Sequence, residues 1–429
     1  MGNSITKNNK RTEILIDQIK KYLPYLLPLL LIFSRALADF TIVIISILFL
    51  YYSNKKIGWE WVKQKWFLFA LFFSIYCLTI NSYNSINSFE TFAYSFFFLR
   101  WPIFSMALAY WILSDIESLK KFLIALTITI LFIIFDTWWQ FLFEQDIFGF
   151  EKYAPNRLTG PFKENPHVGA WLAKLILLPP LFLIIYDRYK LQNNQNYFIY
   201  VFFIISTFLF LTVFITGERM ALLITLACMC ILFIGLIMDK IIPISKLLLL
   251  SLISIITILI FANFFPETTH RAYFSTIEKI TNFRTSDYGL VWQSAYDVWM
   301  ESPLLGVGLH KYREACNNLG IYAPSVLGLL GTGVCTHPHN ISLQLLSETG
   351  LFGFILFYLM VFFLTISSLK IYFNKNLWFS FAIVLNIIFT CFLPIASSTS
   401  FFSNKYGAIV WLLIGVMLAV NKLFQRKLI

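Results

Sequence analysis

The sequence predicts an all-α, polytopic membrane protein of about 12 transmembrane helices, with one large loop outside the membrane between helices 9 and 10. Three observations lead there. Of 429 residues, 59% are hydrophobic and 13% charged, whereas roughly a quarter of a soluble domain is charged. Mean hydropathy is +0.74. Apolar runs such as FIYVFFIISTFLFLTVFIT (198–216) have the ~20 residues needed to cross a bilayer.

Apolar runs bounded by polar punctuation place the spans near 22–34, 36–53, 66–81, 92–113, 121–143, 168–186, 197–215, 219–238, 244–265, 341–369, 377–393 and 404–421. The first two are short and meet near Arg35 and Asp39, as in a helical hairpin broken at that polar pair. The first 21 residues are polar and basic and lack a small-residue cleavage site, so they read as a cytoplasmic tail and not a signal peptide. Three regions follow: a bundle over 1–265 with an outside loop near 144–167, a loop domain over 266–340, and closing helices over 341–429.

Orientation follows from the basic residues. With the N-terminus inside, every inside segment carries at least two, from Lys7, Lys10, Arg11, Lys20 and Lys21 through Lys55, Lys56, Lys120 and Lys121, Arg188 and Lys190, to Lys422, Arg426 and Lys427. Cytoplasmic loops retain positive charge, so both termini are expected in the cytoplasm. The net charge of +11 thereby reads as orientation and not as a nucleic-acid surface. All five histidines then fall outside or at the outer edges, with Arg157, Arg219, Arg271 and Arg284. A transporter would sooner place polar groups at broken helices near the midplane.

The stretch THPHNISLQLLSETGLFG (336–353) puts His339 and Asn340 at the entrance of an apolar helix, where backbone N–H groups and the helix dipole favour an anion. Glu348 lies two turns on, near a face shared with Asn340 and Gln344. An imidazole here could accept a proton from a hydroxyl; the residues could equally cap the helix, or His337 and His339 could bind a metal. Zinc wants three or four ligands, and no Cys/His set with that spacing occurs. Arg219 offers a fork of donors to phosphate oxygens, or snorkels to headgroups. Arg157 and Lys163 flank a Gly-Pro turn, as anion contacts or solvated charges, and His167 opens the sixth span as a structural residue or a cap. Glu218 is read as complementing its own helix's dipole. Arg100, Asp136 and Lys174 fall within spans, where charge is costly and usually paired or functional.

His339-Asn340, nine residues, then Gly350-Leu351-Phe352-Gly353 resembles the H-[NSQ]-x9-G-x-x-G pattern of O-antigen ligases. RLTGPFKENPHVGAWLA (157–173), TGERMALL (216–223) and WMESPLLGVGLHKYREAC (299–316) also look like that superfamily, in the right order. The resemblance implies a membrane glycosyltransferase at the periplasmic face of the bacterial inner membrane. It would join a glycan from undecaprenyl pyrophosphate to a sugar hydroxyl on lipid A–core, without cofactor or metal. His339 would activate the acceptor, with His337 positioning it, and Arg219 would engage the pyrophosphate. The family's second loop arginine corresponds to Tyr288, one turn before the W-x-x-A segment; Arg284, a turn earlier, is the nearest substitute.

Cys316 and Cys335 both lie in the long outside loop, 19 positions apart, in an oxidising compartment. A disulfide is expected there, contributing about 3 kcal/mol on the chain-entropy account. A polysaccharide polymerase, with a second lipid-linked glycan as acceptor, is the alternative reading. A non-enzymatic flippase is disfavoured by spans nearly free of charge beneath loaded outer loops.

Overall fold

The computed structural model describes residues 2–163, 165–175, 195–320, 335–396 and 399–426. Positions 176–194, with the second half of the sixth expected span, Arg188 and Lys190, lie outside the described residues, as do 321–334 and 427–429. Among the described residues there is no strand, only two isolated bridges (Gln145 with Glu151, Ala154 with Arg157). The described residues are all-α.

In chain order the helices are α1 (Gly2–Phe33), α2 (Arg35–Tyr52), α3 (Lys65–Tyr76), α4 (Ser88–Phe98), α5 (Arg100–Ala107), α6 (Ile116–Phe143), α7 (Val168–Leu175), α8 (Gln195–Ile215), α9 (Arg219–Met238) and α10 (Ile244–Phe264). Four short ones follow: α11 (Pro266–Thr269), α12 (Ser275–Thr281), α13 (Asp287–Glu301) and α14 (Tyr312–Asn318). The chain closes with α15 (Ile341–Asn374), α16 (Trp378–Phe392) and α17 (Asn404–Gln425). Among the described residues, seven helical segments are long and apolar enough to cross a membrane: 35–57, 88–112, 116–143, 219–238, 244–264, 341–374 and 404–425. Shorter apolar helices cover 65–81, 200–215 and 378–392.

The break between α1 and α2 falls at Ser34, whose Oγ caps α2 by accepting from the Leu37 N–H at 3.4 Å. The expected N-terminal tail is instead continuous with α1, since neither glycine nor proline interrupts the chain from Asn3 to Leu23. α17 runs through the centre, its Trp411, Leu413, Ile414 and Met417 fully buried. α10 is the opposite: Leu248, Leu252, Ile256 and Leu259 face outward, as lipid contact requires. Between helices in a membrane, packing and hydrogen bonds replace the hydrophobic effect. Ser105 Oγ donates to the Trp411 carbonyl at 2.6 Å and Asn386 Nδ2 to that of Cys228 at 2.9 Å. The charges inside spans are held: Arg100 pairs with Asp39 at 2.8 Å, and Asp136 accepts from the Ile147 N–H at 2.9 Å.

One junction ties the 303–310 segment to the bundle. α15 breaks at Gly350, whose φ of +65° leaves a gap in the helical ladder. Segment 303–310 lies in that gap and exchanges backbone bonds with it. Leu351 N–H donates to the Pro303 carbonyl (2.9 Å), Val307 N–H to that of Ser347 (3.0 Å) and Gly308 N–H to that of Glu348 (2.9 Å). Asn81 Nδ2 donates to the Leu305 and Glu348 carbonyls from below. A Cβ on Gly350 would sit 2.3 Å from the Leu304 carbonyl oxygen. The spaced glycine of the motif is therefore a docking device, combining positive φ with close backbone approach.

Gly350→Ala should accordingly cost about 3 kcal/mol or more. At Gly58, with φ of +80° in open space, alanine should cost only about 1–2 kcal/mol. Unfolding in detergent checks the pair, and equal losses would contradict the packing account.

Candidate active site

The N-terminus of α15 is built by two residues with distinct tasks. Asn340 Oδ1 accepts from the Leu343 N–H at 3.2 Å and caps the helix. His339 adopts a left-handed φ of +50°, uncommon without Gly, which turns its ring away from the helix axis. The ring meets Tyr288 edge to face at 5.8 Å. His337 Nε2 lies 3.1 Å from His339 Nδ1, so one imidazole orients the other. Just upstream, Cys316 and Cys335 form a disulfide with Cα atoms 5.5 Å apart, which fixes the approach to this turn.

Arg219 is the first residue of α9. Its Nη1 donates to Ser275 Oγ at 2.9 Å. Arg271 Nε donates to the Gly217 carbonyl at 3.0 Å. Gly217 has φ of +69°, and a Cβ there would lie 1.9 Å from the Asn156 carbonyl oxygen, so this turn admits only glycine against the 154–158 loop. Arg157 lies over the Tyr153 ring at 5.3 Å, and its Nε is buried without a hydrogen-bond partner among the described residues. Lys279 pairs with Asp287. These cations converge with Lys174 and His339 on one cavity of about 310 Å³, completed by Glu218, Tyr288 and Trp292 and by apolar Met220, Leu223, Ile224 and Ile280.

Glu218 is the cavity's lone carboxylate among the described residues, and it serves another helix. Its oxygens accept from the N–H groups of Gly169 (2.6 Å) and Ala170 (3.1 Å), at the start of α7. The expectation that it complements its own helix is thereby corrected: the carboxylate turns across to the N–H groups it can reach. Burial pushes its pKa up to about 7, against the pull of Arg157 and those N–H groups. Arg271 is lowered by burial and then by Arg157 and Arg219. The cations repel one another, which is the electrostatic condition for capturing an anion.

Other expected residues stand elsewhere. Arg284 is exposed on the 283–285 turn and does not line the cavity, because its neighbour Phe283 packs toward Trp292. Lys163 is also exposed, near the Phe150 ring. Glu348 is buried as a structural anchor, accepting from the His310 N–H at 2.9 Å and Gln344 Nε2 at 3.1 Å. His167 lines an adjoining crevice with Lys405. Sequence reading did not assign Arg271 and Lys279 to the site. Both line the cavity with Thr276 and Ile280; helical spacing groups Lys279 and Ile280 with Thr276, whereas Arg271 comes in from the preceding π-helical turn.

Residues 201–358 match the family described as O-antigen ligase. That segment is similar to the O-antigen ligase family over 158 of the 429 residues. No curated protein matches the chain. The matched segment contains Arg219, Arg271, Lys279, Tyr288 and His339, whereas Arg157 and Lys174 reach the same cavity from outside it. The match supports, at a coarse level, an enzyme of the ligase and polymerase type, and seven helical segments among the described residues are long and apolar enough to cross a membrane.

His167 supplies a pH test. Burial first, then Lys405 and Arg157, lowers its pKa to about 3 from 6.5. Between those values the unfolded chain binds a proton that the folded chain refuses, so the His167 contribution to stability falls as pH drops below about 6.5. His167→Gln should flatten that acid limb by about 2 kcal/mol at pH 5. Melting midpoints across pH 4–7 check it; parallel curves would contradict it.

Proposed function

We propose that the protein is an O-antigen ligase that moves a glycan from undecaprenyl pyrophosphate to a lipid A–core sugar hydroxyl, at the periplasmic face of the inner membrane. The observation that carries this reading is the sharing of one cavity by His339 and a group of guanidinium and ammonium side chains. A diphosphate leaving group needs fixed positive charge where its own charge grows, and arginine forks match its oxygens. The apolar stretch of wall at Leu223, Ile224 and Ile280 suits the start of a prenyl chain. The topology that goes with it has about twelve spans, both termini cytoplasmic, and residues 266–340 outside.

The step is a direct displacement. The acceptor oxygen forms a bond to the anomeric carbon as the bond to the diphosphate oxygen breaks. The hydroxyl proton passes to His339, and Arg219, Arg271 and Arg157 hold the departing anion. A single displacement inverts the anomeric carbon. Because the protein supplies the countercharge, no metal is required.

Purified protein with undecaprenyl-pyrophosphate glycan and lipid A–core tests this. Transfer should persist in EDTA, and His339→Ala should lower kcat by at least about 100-fold. Arg219→Lys should lose much of the rate, because an ammonium lacks the fork. A His339→Ala enzyme within threefold of the parent overturns the assignment. Transfer onto a second lipid-linked glycan, with lipid A–core ignored, would make the protein a polymerase.

A further inference from the structure

A second cavity, of about 260 Å³, opens where the N-terminal ends of α2, α5 and α17 meet the 306–310 loop. Its polar wall is a closed triad. Arg100 Nε donates to Asp39 Oδ1 at 3.0 Å, Arg100 Nη2 to Asn404 Oδ1 at 2.8 Å, and Asn404 Nδ2 to Asp39 Oδ2 at 3.3 Å. The guanidinium also lies over the Trp101 ring at 4.2 Å. The other wall is aromatic: the Tyr94 and His310 rings stack within 5° of parallel, with centroids 4.2 Å apart.

The chemistry of this cavity is unlike that of the first. One guanidinium and one carboxylate cancel, and burial holds the His310 imidazole below its ordinary pKa, so that it is neutral near pH 7. A phosphate would meet the Asp39 carboxylate beside the cavity's one arginine, itself already paired. An acyl chain would strip water from the triad and return no hydrogen bonds. A pyranose ring has an apolar face of C–H groups for the aromatic stack, and a rim of hydroxyls that both donate and accept, as the triad does. The volume lies just under the roughly 300–1000 Å³ of ordinary ligand pockets, so it suits one ring.

Position adds the source. Tyr94 and the exposed Phe97 belong to a candidate membrane span, 88–112, and the triad stands at helix ends, where a bilayer meets water. The way to the first cavity is narrow. The crevices through Lys405 and His167 have volumes of about 10 Å³, room for no more than a single water.

We propose that this cavity is a separate ligand site that seats one uncharged sugar ring of a membrane glycolipid against the Tyr94–His310 stack, with its hydroxyls bound by Arg100, Asp39 and Asn404. The proposal rests on no step of the transfer reaction. The test uses the full chain in nanodiscs with an alkyl β-glucoside carrying a diazirine on the sugar, followed by photolysis and peptide mapping. Label should concentrate on the peptides holding Tyr94 and His310. It should fall at least tenfold in Tyr94→Ala and in Asn404→Ala, both exposed positions, with unchanged melting midpoints. The same glucoside without its alkyl chain should label at least tenfold less; equal labelling would overturn the glycolipid assignment. Label spread evenly over lipid-facing helices, indifference to both variants, or displacement by inorganic pyrophosphate would overturn the site.

Discussion

Like charges gathered around one cavity repel, and the candidate site depends on how that repulsion is contained without being cancelled. Arg219 rests on the Ser275 hydroxyl, Arg271 on the Gly217 carbonyl and Arg157 on the face of Tyr153. Neutral acceptors fix a guanidinium in place and leave its charge available. A carboxylate facing each would make a more comfortable protein with a quenched field. Lys279 has such a partner in Asp287, while Glu218 turns its oxygens to the α7 N–H groups. The cavity remains positive because Arg157, Lys174, Arg219, Arg271 and Lys279 outnumber Glu218, the one carboxylate among its described lining residues.

That field has a use only if the loop bearing Arg271, Lys279 and Tyr288 stays registered on α15, which presents His339. The registration is made by backbone, at Gly350 and the 303–310 segment, with Asn81 and Glu348 closing it from either side. Side chains remote from the cavity therefore set its geometry. Glu348 illustrates the point. Its place in the motif suggested chemistry, yet its oxygens hold the loop that docks on the helix.

The long helices were legible because hydrophobic runs and their polar ends fix boundaries directly; the starts of α9, α10 and α15 fall at the expected residues or within one. His339 and Arg219 stand out in the sequence through their neighbours, a cap and spaced glycines for one and a Thr-Gly turn for the other, and the structure brings both to one cavity. What escaped was set by tertiary geometry. Arg284 was favoured by proximity to Trp292 in sequence, but the 283–285 turn leaves it exposed, and the cavity takes its loop cations from the helical run before it. The reach of Glu218 to α7 joins segments about fifty residues apart, a distance no local pattern reports. The N-terminal helix extended further than its polarity suggested, because helical propensity continues where hydrophobicity stops.

The account stands on the anion position and the imidazole occupying one enclosure. Diethyl pyrocarbonate modification of each histidine, quantified by mass spectrometry with and without inorganic pyrophosphate, measures that directly, with His270 and His310 as internal references. Pyrophosphate should slow modification of His339 several-fold while the references react as before, and Arg219→Gln should abolish the protection. Modification of His339 at the same rate under saturating pyrophosphate would contradict the account.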